Sequence, residues 1–330
     1  MQKLSLALLG ALALIASGHS HAQEAFCPGD DQICISPEGP GRAAIVDFWT
    51  EDRMKEAWTV FGHGSTGPDN PLDPGADFYG YTLVPPSSYL RPPHALTGIL
   101  FFEEPGSPTP YKHCSASVIR SAHQNLILTA AHCMRSTASS GTWHRNLMFV
   151  PAYSEREDGV LQTPYEKWPV EIAFLPFASA AISRYADIAV ARVYALPSVI
   201  GPDRTLESVV GGSLQPRMST ASVTFPLVRF VGYPGLNGFN LVQYPIAAQR
   251  QCETHTYIDD ADEATARMVG ILNCSPQSGN SGGPIVQMPG NPGGYDVVGV
   301  MAYIDMNPQP RLLPETFLPI YQAANDGVAP

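Results

Sequence analysis

Three residues in this chain have the types needed for nucleophilic chemistry: a serine among glycines, a histidine ending an apolar run, and an aspartate opening another. The serine is Ser281, in "SPQSGNSGGPI" (275–285). Glycine loses more backbone freedom on folding than any other residue, so a glycine cluster needs a reason. A flexible linker is one reason. The other is a tight loop whose N–H groups converge on one point and hold a developing negative charge. The stretch lies between "MVGILNC" and "PIVQM", both apolar and strand-like. A linker would not be clamped on each side, so a structured loop is preferred, with Ser281 as its candidate nucleophile.

A serine hydroxyl is a weak nucleophile until a base takes its proton. "NLILTAAHCM" places His132 at the end of an apolar strand, beside two alanines and next to Cys133. A disulfide from Cys133 to Cys114 would lock the backbone beside the ring. A base of this kind needs a carboxylate to hold its tautomer. Asp187 opens the apolar strand in "RYADIAVARV", where an unpartnered charge would be costly. Taken singly, these residues also read as a core histidine and a turn aspartate. Gly279 to Gly283 also fits G-x-S-x-G, but that hydrolase family runs serine, acid, histidine along the chain. No histidine follows Ser281 here.

The elements that must position these groups read as short strands. "LTGILFFE", "CSASVIRS", "NLILTAAH", "LMFVPAY", "VEIAFLP" and "DIAVARVY" form one series. "SVTFPLVRFVGYP", "NLVQYPIAA", "RMVGILNC", "GPIVQMP" and "YDVVGVMAYI" form a second. Evenly spaced short strands broken by turn residues predict an all-β fold, here two antiparallel β-barrels side by side. "PETFLPIYQAAN" predicts a C-terminal helix. The 29 glycines and 32 prolines favour turns and short strands over long helices.

The pattern "TAAHC", "DIAVARV" and "GNSGGP", in that order, resembles the trypsin-like serine peptidase family over about residues 95–325. The resemblance implies a barrel of about 95–212, a second of about 213–325, and an active site in the crevice between them. It implies His132 as general base, Asp187 as its orienting acid, Ser281 as nucleophile, and an oxyanion hole from the N–H groups of Gly279 and Ser281. It implies a serine endopeptidase acting on protein or peptide substrates, without cofactor or metal. The alternative on the same scaffold is a catalytically silent binding protein. Asn280 stands where digestive relatives carry aspartate, and in this the chain looks more like the bacterial V8-like, glutamyl-endopeptidase branch. The substrate pocket would be lined by Ser275, Met301, Tyr303 and Ile304. None of these is charged, so an uncharged small or medium apolar residue is expected before the cut.

Lys3, the apolar run Leu4–Ser17 and the small residues around Ala22 read as a signal peptide over 1–22, too short for a bilayer span of about 20 apolar residues. The expected product is secreted, extracellular or periplasmic, and monomeric. Export makes the six cysteines a disulfide framework. They fall into the close pairs Cys27/Cys34, Cys114/Cys133 and Cys252/Cys274, although sequence alone does not choose the pairing. The resemblance implies Cys114–Cys133 beside the histidine, and Cys252–Cys274 would brace the loop before Ser281. Residues 23–94 read as a pro-segment, giving a zymogen, or as an irregular N-terminal extension over the surface. A net charge of −11 without basic clusters argues against nucleic acid and anionic membranes as partners. The acidic run 253–263 reads as a solvated hairpin in preference to a calcium site.

Overall fold

The computed structural model of the chain describes residues 33–59, 80–136, 141–176, 184–219, 223–237, 242–243, 246–257, 267–271, 274, 277–288, 294–302 and 309–327. The expected signal peptide and Cys27 lie outside them.

The first sheet holds β1 (Ile33–Ile35), β3 (Thr97–Glu103), β4 (Tyr111–Ile119), β5 (Leu126–Thr129), β6 (Arg145–Pro151), β9 (Trp168–Pro176) and β10 (Ala189–Val193), in the order β1-β9-β10-β5-β4-β3-β6. Pairing of β6 with β9 closes it into a six-stranded antiparallel barrel, with β1 added outside on β9. The second sheet runs β11 (Gln215–Pro216), β19 (Asp296–Val300), β18 (Pro284–Gln287), β12 (Val228–Gly232), β15 (Arg250–Thr254) and β2 (Thr82–Leu83). It is antiparallel except between β11 and β19. β16 (Thr256–Tyr257), β17 (Met268–Ile271) and β20 (Gln309–Pro310) form a third sheet. Two short ribbons pair β7 (Ser154–Glu155) with β8 (Leu161–Gln162), and β13 (Leu236–Asn237) with β14 (Val242–Gln243).

Ten of the eleven expected strands appear as β3–β6, β9, β10, β12 and β17–β19, while "NLVQYPIAA" forms a strand only at Val242–Gln243 among the described residues. The longest strand not expected is β15: "RQCET" is too polar to stand out, yet it alternates buried and outward residues across the sheet. The predicted helix spans Pro314–Asp326, with Pro314 in its first turn and Gly327 ending it. Its Phe317, Ile320 and Ala324 pack into the core of the first barrel. No helix among the described residues is long and apolar enough to cross a membrane.

The N-terminal extension is more regular than expected. It contains α1 (Arg42–Phe48), α2 (Glu51–Thr59), β1 and β2. The prolines of the extension fall before and after residues 42–59, which contain none. Along β3, Leu100 and Phe102 face the barrel interior, while Ile99 and Phe101 face outward. Ile45, Trp49, Met54, Ala57 and Trp58 cover that outer face, which is why β3 is apolar on both sides. Cutting such a buried ring back to alanine costs roughly 3–5 kcal/mol. Helices α1 and α2 are therefore part of the core, not a layer on the surface.

Candidate active site

Strand β5 is buried throughout and runs through Ala130 into a 3-10 turn, Ala131–Cys133. His132 stands on that turn with its side chain 26% exposed. Its backbone N–H donates to Asp187 Oδ1 at 2.9 Å, and its Nδ1–H donates to Asp187 Oδ2 at 2.8 Å. An ionised carboxylate only accepts, so the ring proton sits on Nδ1 and the Nε2 lone pair is left to take another. Asp187 precedes β10, which pairs with β5 so that Ala189 lies opposite Thr129. That register sets the carboxylate beside the histidine turn. Burial disfavours the charged ring, but the Asp187 charge and hydrogen bond outweigh it, so the pKa of His132 lies above the ordinary 6.5.

Cys114 and Cys133 are joined by a disulfide. Their sulfurs and a ring nitrogen of His132 lie within 4.8 Å of one another. Sulfurs bonded to each other present no thiolate to a metal. Cys252 and Cys274 form the second disulfide, and Cys34 is also disulfide-bonded.

The Ser281 loop is built from backbone. Its carbonyls are all taken: Gln277 O by Asn280 N, Ser278 O by Gly235 N, Asn280 O by Gly283 N, and Ser281 O by Ser115 N at 2.7 Å. Gly279 O accepts from Ser115 Oγ at 2.9 Å. Among the described residues, the N–H groups of Gly279 and Ser281 donate to nothing. Two bare amides flanking a serine form a local anion site.

Gly279 has φ +93°, and a Cβ there would lie 2.5 Å from Tyr233 O and 2.7 Å from His113 Nε2. A Cβ on Gly282 would overlap Thr129 Oγ1 and the Ser115 carbonyl, and would also meet Ala130 N. The serine loop is thus pressed against the last residue of β5 and the chain leading to His132. Among the described residues no hydrogen bond reaches Ser281 Oγ; such bonds are often loose until substrate binds.

The structure therefore brings His132, Asp187, Gly279 and Ser281 to one seam between the sheets. Met301 lies within the core of the second sheet, 2% exposed, and its peptide holds the loop: its carbonyl accepts from Gly282 N, and its N–H donates to Gly283 O. Ser275, Tyr303 and Ile304 lie outside the described residues, as do residues 258–263 of the acidic run. Asn280 is buried, and among the described residues neither polar atom of its side chain has a partner. Sequence reasoning missed Ser115 and Thr129. The available signal was alternation along β4: Cys114 faces the histidine turn, so its neighbour Ser115 must face the other way.

A closed six-stranded β-barrel joined to a second, largely antiparallel β-sheet, with these groups between them, is the frame of the site. A family model of the trypsin-like peptidase domain matches residues 114–300, and the chain belongs to that family. It is an enzyme, a trypsin-like serine peptidase. Its fold is similar to that of the protease Anisep from Arthrobacter nicotinovorans, with 24% identity, a TM-score of 0.56, and 72% of this chain and 98% of that one covered. The thermostable serine protease AL20 from an extremophilic microorganism is similar at 22% identity and TM-score 0.55, over 74% of this chain and 100% of that one. A Glu endopeptidase is similar at 19% identity and TM-score 0.54, over 75% of this chain and 97% of that one. No curated protein sequence matches the chain.

Proposed function

We propose that the chain is a secreted serine endopeptidase that cuts protein or peptide substrates through an acyl-enzyme on Ser281. His132 Nε2 takes the Ser281 proton as Oγ bonds to the substrate carbonyl carbon. The carbonyl oxygen becomes an oxyanion between the N–H groups of Gly279 and Ser281. His132 then gives the proton to the leaving amine as the C–N bond breaks. Water repeats the sequence, with His132 again as base, and releases the acid. Asp187 holds the tautomer and offsets the charge of the imidazolium. The observation carrying this reading is the two-point bond from His132 to Asp187, which leaves Nε2 basic on the turn that follows Thr129 and Ala130, against which the Ser281 loop with the bare amides of Gly279 and Ser281 is packed.

The buried Asn280 and the likeness to a Glu endopeptidase fit the V8-like branch. The uncharged Ser275 and Met301 favour an uncharged apolar residue before the cut. We read residues 1–22 as removed on export, and residues 23–94 as an extension retained by the mature enzyme. The burial of Trp49 and Trp58 supports retention. The test is a fluorophosphonate probe on the secreted protein: labelling at Ser281, abolished in S281A, is expected. An unlabelled protein would overturn the reading in favour of a silent binding protein.

A further inference from the structure

An oxyanion hole needs its two N–H groups aimed at one point and held there before substrate arrives. At the Ser281 loop this is achieved by tying down the carbonyls, since a peptide plane joins the C=O of one residue to the N–H of the next: Ser278 O, held by Gly235 N, sets the Gly279 N–H, Asn280 O, held by Gly283 N, sets the Ser281 N–H, and Gly279 O sets the plane that links the two. Three of those carbonyl bonds are made by backbone within the loop or by Gly235 N. The other two are made by a single residue of the first barrel, Ser115.

Ser115 lies on β4 and is fully buried. Its N–H donates to Ser281 O at 2.7 Å, and its hydroxyl donates to Gly279 O at 2.9 Å. The same hydroxyl accepts from Tyr233 N at 2.8 Å. Its own carbonyl accepts from Thr129 Oγ1 at 2.9 Å, at the end of the strand leading to His132. A hydroxyl has one proton and two lone pairs, so one donation and one acceptance fix its direction. On one side of the strand Cys114 is bonded to Cys133, next to His132. On the other, His113 Nε2 lies 3.1 Å from Tyr233 O. Three successive residues of β4 therefore brace the histidine turn and the serine loop together. The tie between Ser115 N and Ser281 O needs only backbone. The tie to Gly279 needs the hydroxyl.

We propose that Ser115, through its hydroxyl, is a positioning residue for the oxyanion hole: by holding the Gly279 carbonyl it fixes the Gly279–Asn280 peptide plane that links the two oxyanion planes, so that the N–H groups of Gly279 and Ser281 keep their common aim at the reacting oxygen. The proposal rests on the assignment of Ser281 as nucleophile and of those amides as the oxyanion site. Ser115 touches no substrate and acts only through the loop. Its hydroxyl matters most when the oxygen carries charge, so its loss falls on the transition state and leaves ground-state binding alone. S115A removes the tie and leaves the buried Tyr233 N–H unpaired, without adding bulk.

The experiment uses the full secreted chain, with active molecules counted by fluorophosphonate labelling so that misfolded protein does not enter the rates. S115A is expected to lower kcat roughly tenfold to a hundredfold with KM nearly unchanged, the range below loss of a direct oxyanion donor. Affinity for a peptide aldehyde, whose adduct carries the oxyanion, falls by the same factor. S115T keeps the hydroxyl and is expected to retain most of the turnover, and it decides the matter if S115A does not fold. Unchanged kcat in S115A overturns the proposal. So does an equal loss of substrate and aldehyde affinity, which would mean general damage to the cleft. So does S115T turnover as low as that expected of S115A. If the wild-type chain itself is unlabelled, the nucleophile assignment fails instead, and the two failures are told apart by that first measurement.

Discussion

The two halves of the candidate site are held by different means. His132 and Asp187 are joined through side chains, within one barrel, by bonds that an ion can strengthen. Among the described residues, the Ser281 half has no side-chain bond on Ser281 or Asn280. It is a backbone loop whose shape is imposed by Ser115, Met301 and Gly235 from outside. One half thus depends on which functional groups are present, and the other on which atoms are absent. Polar substitutions should break the first, and added carbon should break the second.

The largest expected effect is on the side-chain half. In Asp187→Asn the amide nitrogen can replace an accepting oxygen with a donor facing Nδ1. The ring proton then moves to Nε2, and the base is lost while the geometry survives. A fall in kcat of about 10⁴ with little change in KM is expected, the size such a tautomer reversal produces in the serine-protease template. Steady-state kinetics on a peptide substrate measures it. Near-normal turnover would show that this pair is not the base.

The backbone half is tested by Gly282→Ala. The new methyl must displace Thr129 Oγ1, which can rotate, and the Ser115 carbonyl, which cannot move without the strand. The loop yields and carries the Ser281 N–H with it. A fall in kcat of roughly 10²-fold is expected, comparable to removing one oxyanion donor, with the His132–Asp187 bond intact. Adding Thr129→Ala relieves one clash only, so the double variant stays impaired. Full rescue by Thr129→Ala would show that the close approach to Ser115 is not what requires glycine.

This contrast also explains what could be read from the sequence. The side-chain half was legible because "TAAHC" and "DIAVARV" place a base and an acid on apolar strands, where polar groups stand out. The glycines around Ser281 announced a loop full of bare amides. Their external supports were not legible, because Ser115 and Tyr233 are ordinary strand residues until the register of β4 against the loop is known. The N-terminal helices were hidden by a different effect: proline-rich flanks masked a proline-free stretch whose apolar residues bury against the outer face of β3. The polar β15 escaped because its burial alternates while its composition does not announce a strand.

A second contrast concerns charge. His94 and His113 are buried with pKa values pushed down to about 4, and His144 to about 3, in each case first by burial. These rings bind protons less readily folded than unfolded, so the unfolded state gains protons first as pH falls below 6.5. Stability is therefore lost between about pH 6.5 and 4, and each of His94 and His113 removes up to about 3 kcal/mol across that window. Urea unfolding midpoints at pH 7 and pH 4.5 measure this, with the lower value expected at pH 4.5. A flat profile would mean that these rings take up protons as readily in the native protein as in the unfolded chain.

His132 has the opposite sign, and its effect is the smallest and most local. Its pKa is held above 6.5 because the Asp187 carboxylate outweighs the burial of the ring. As the general base it must be neutral to act, so kcat/KM is expected to rise with pH through one ionisation above pH 6.5. The stability this pair contributes is present below 6.5 and fades as pH rises through the higher folded value, so activity and this part of stability move in opposite directions. Asp187→Asn removes the charge that raises the value, and the residual activity should then titrate at a lower pH than in the wild type. The comparison separates the two classes of histidine directly. Acid unfolding at the buried rings leaves the ionisation in kcat/KM in place when rates are normalised to folded protein, whereas a profile that tracks unfolding alone would assign no ionisation to His132.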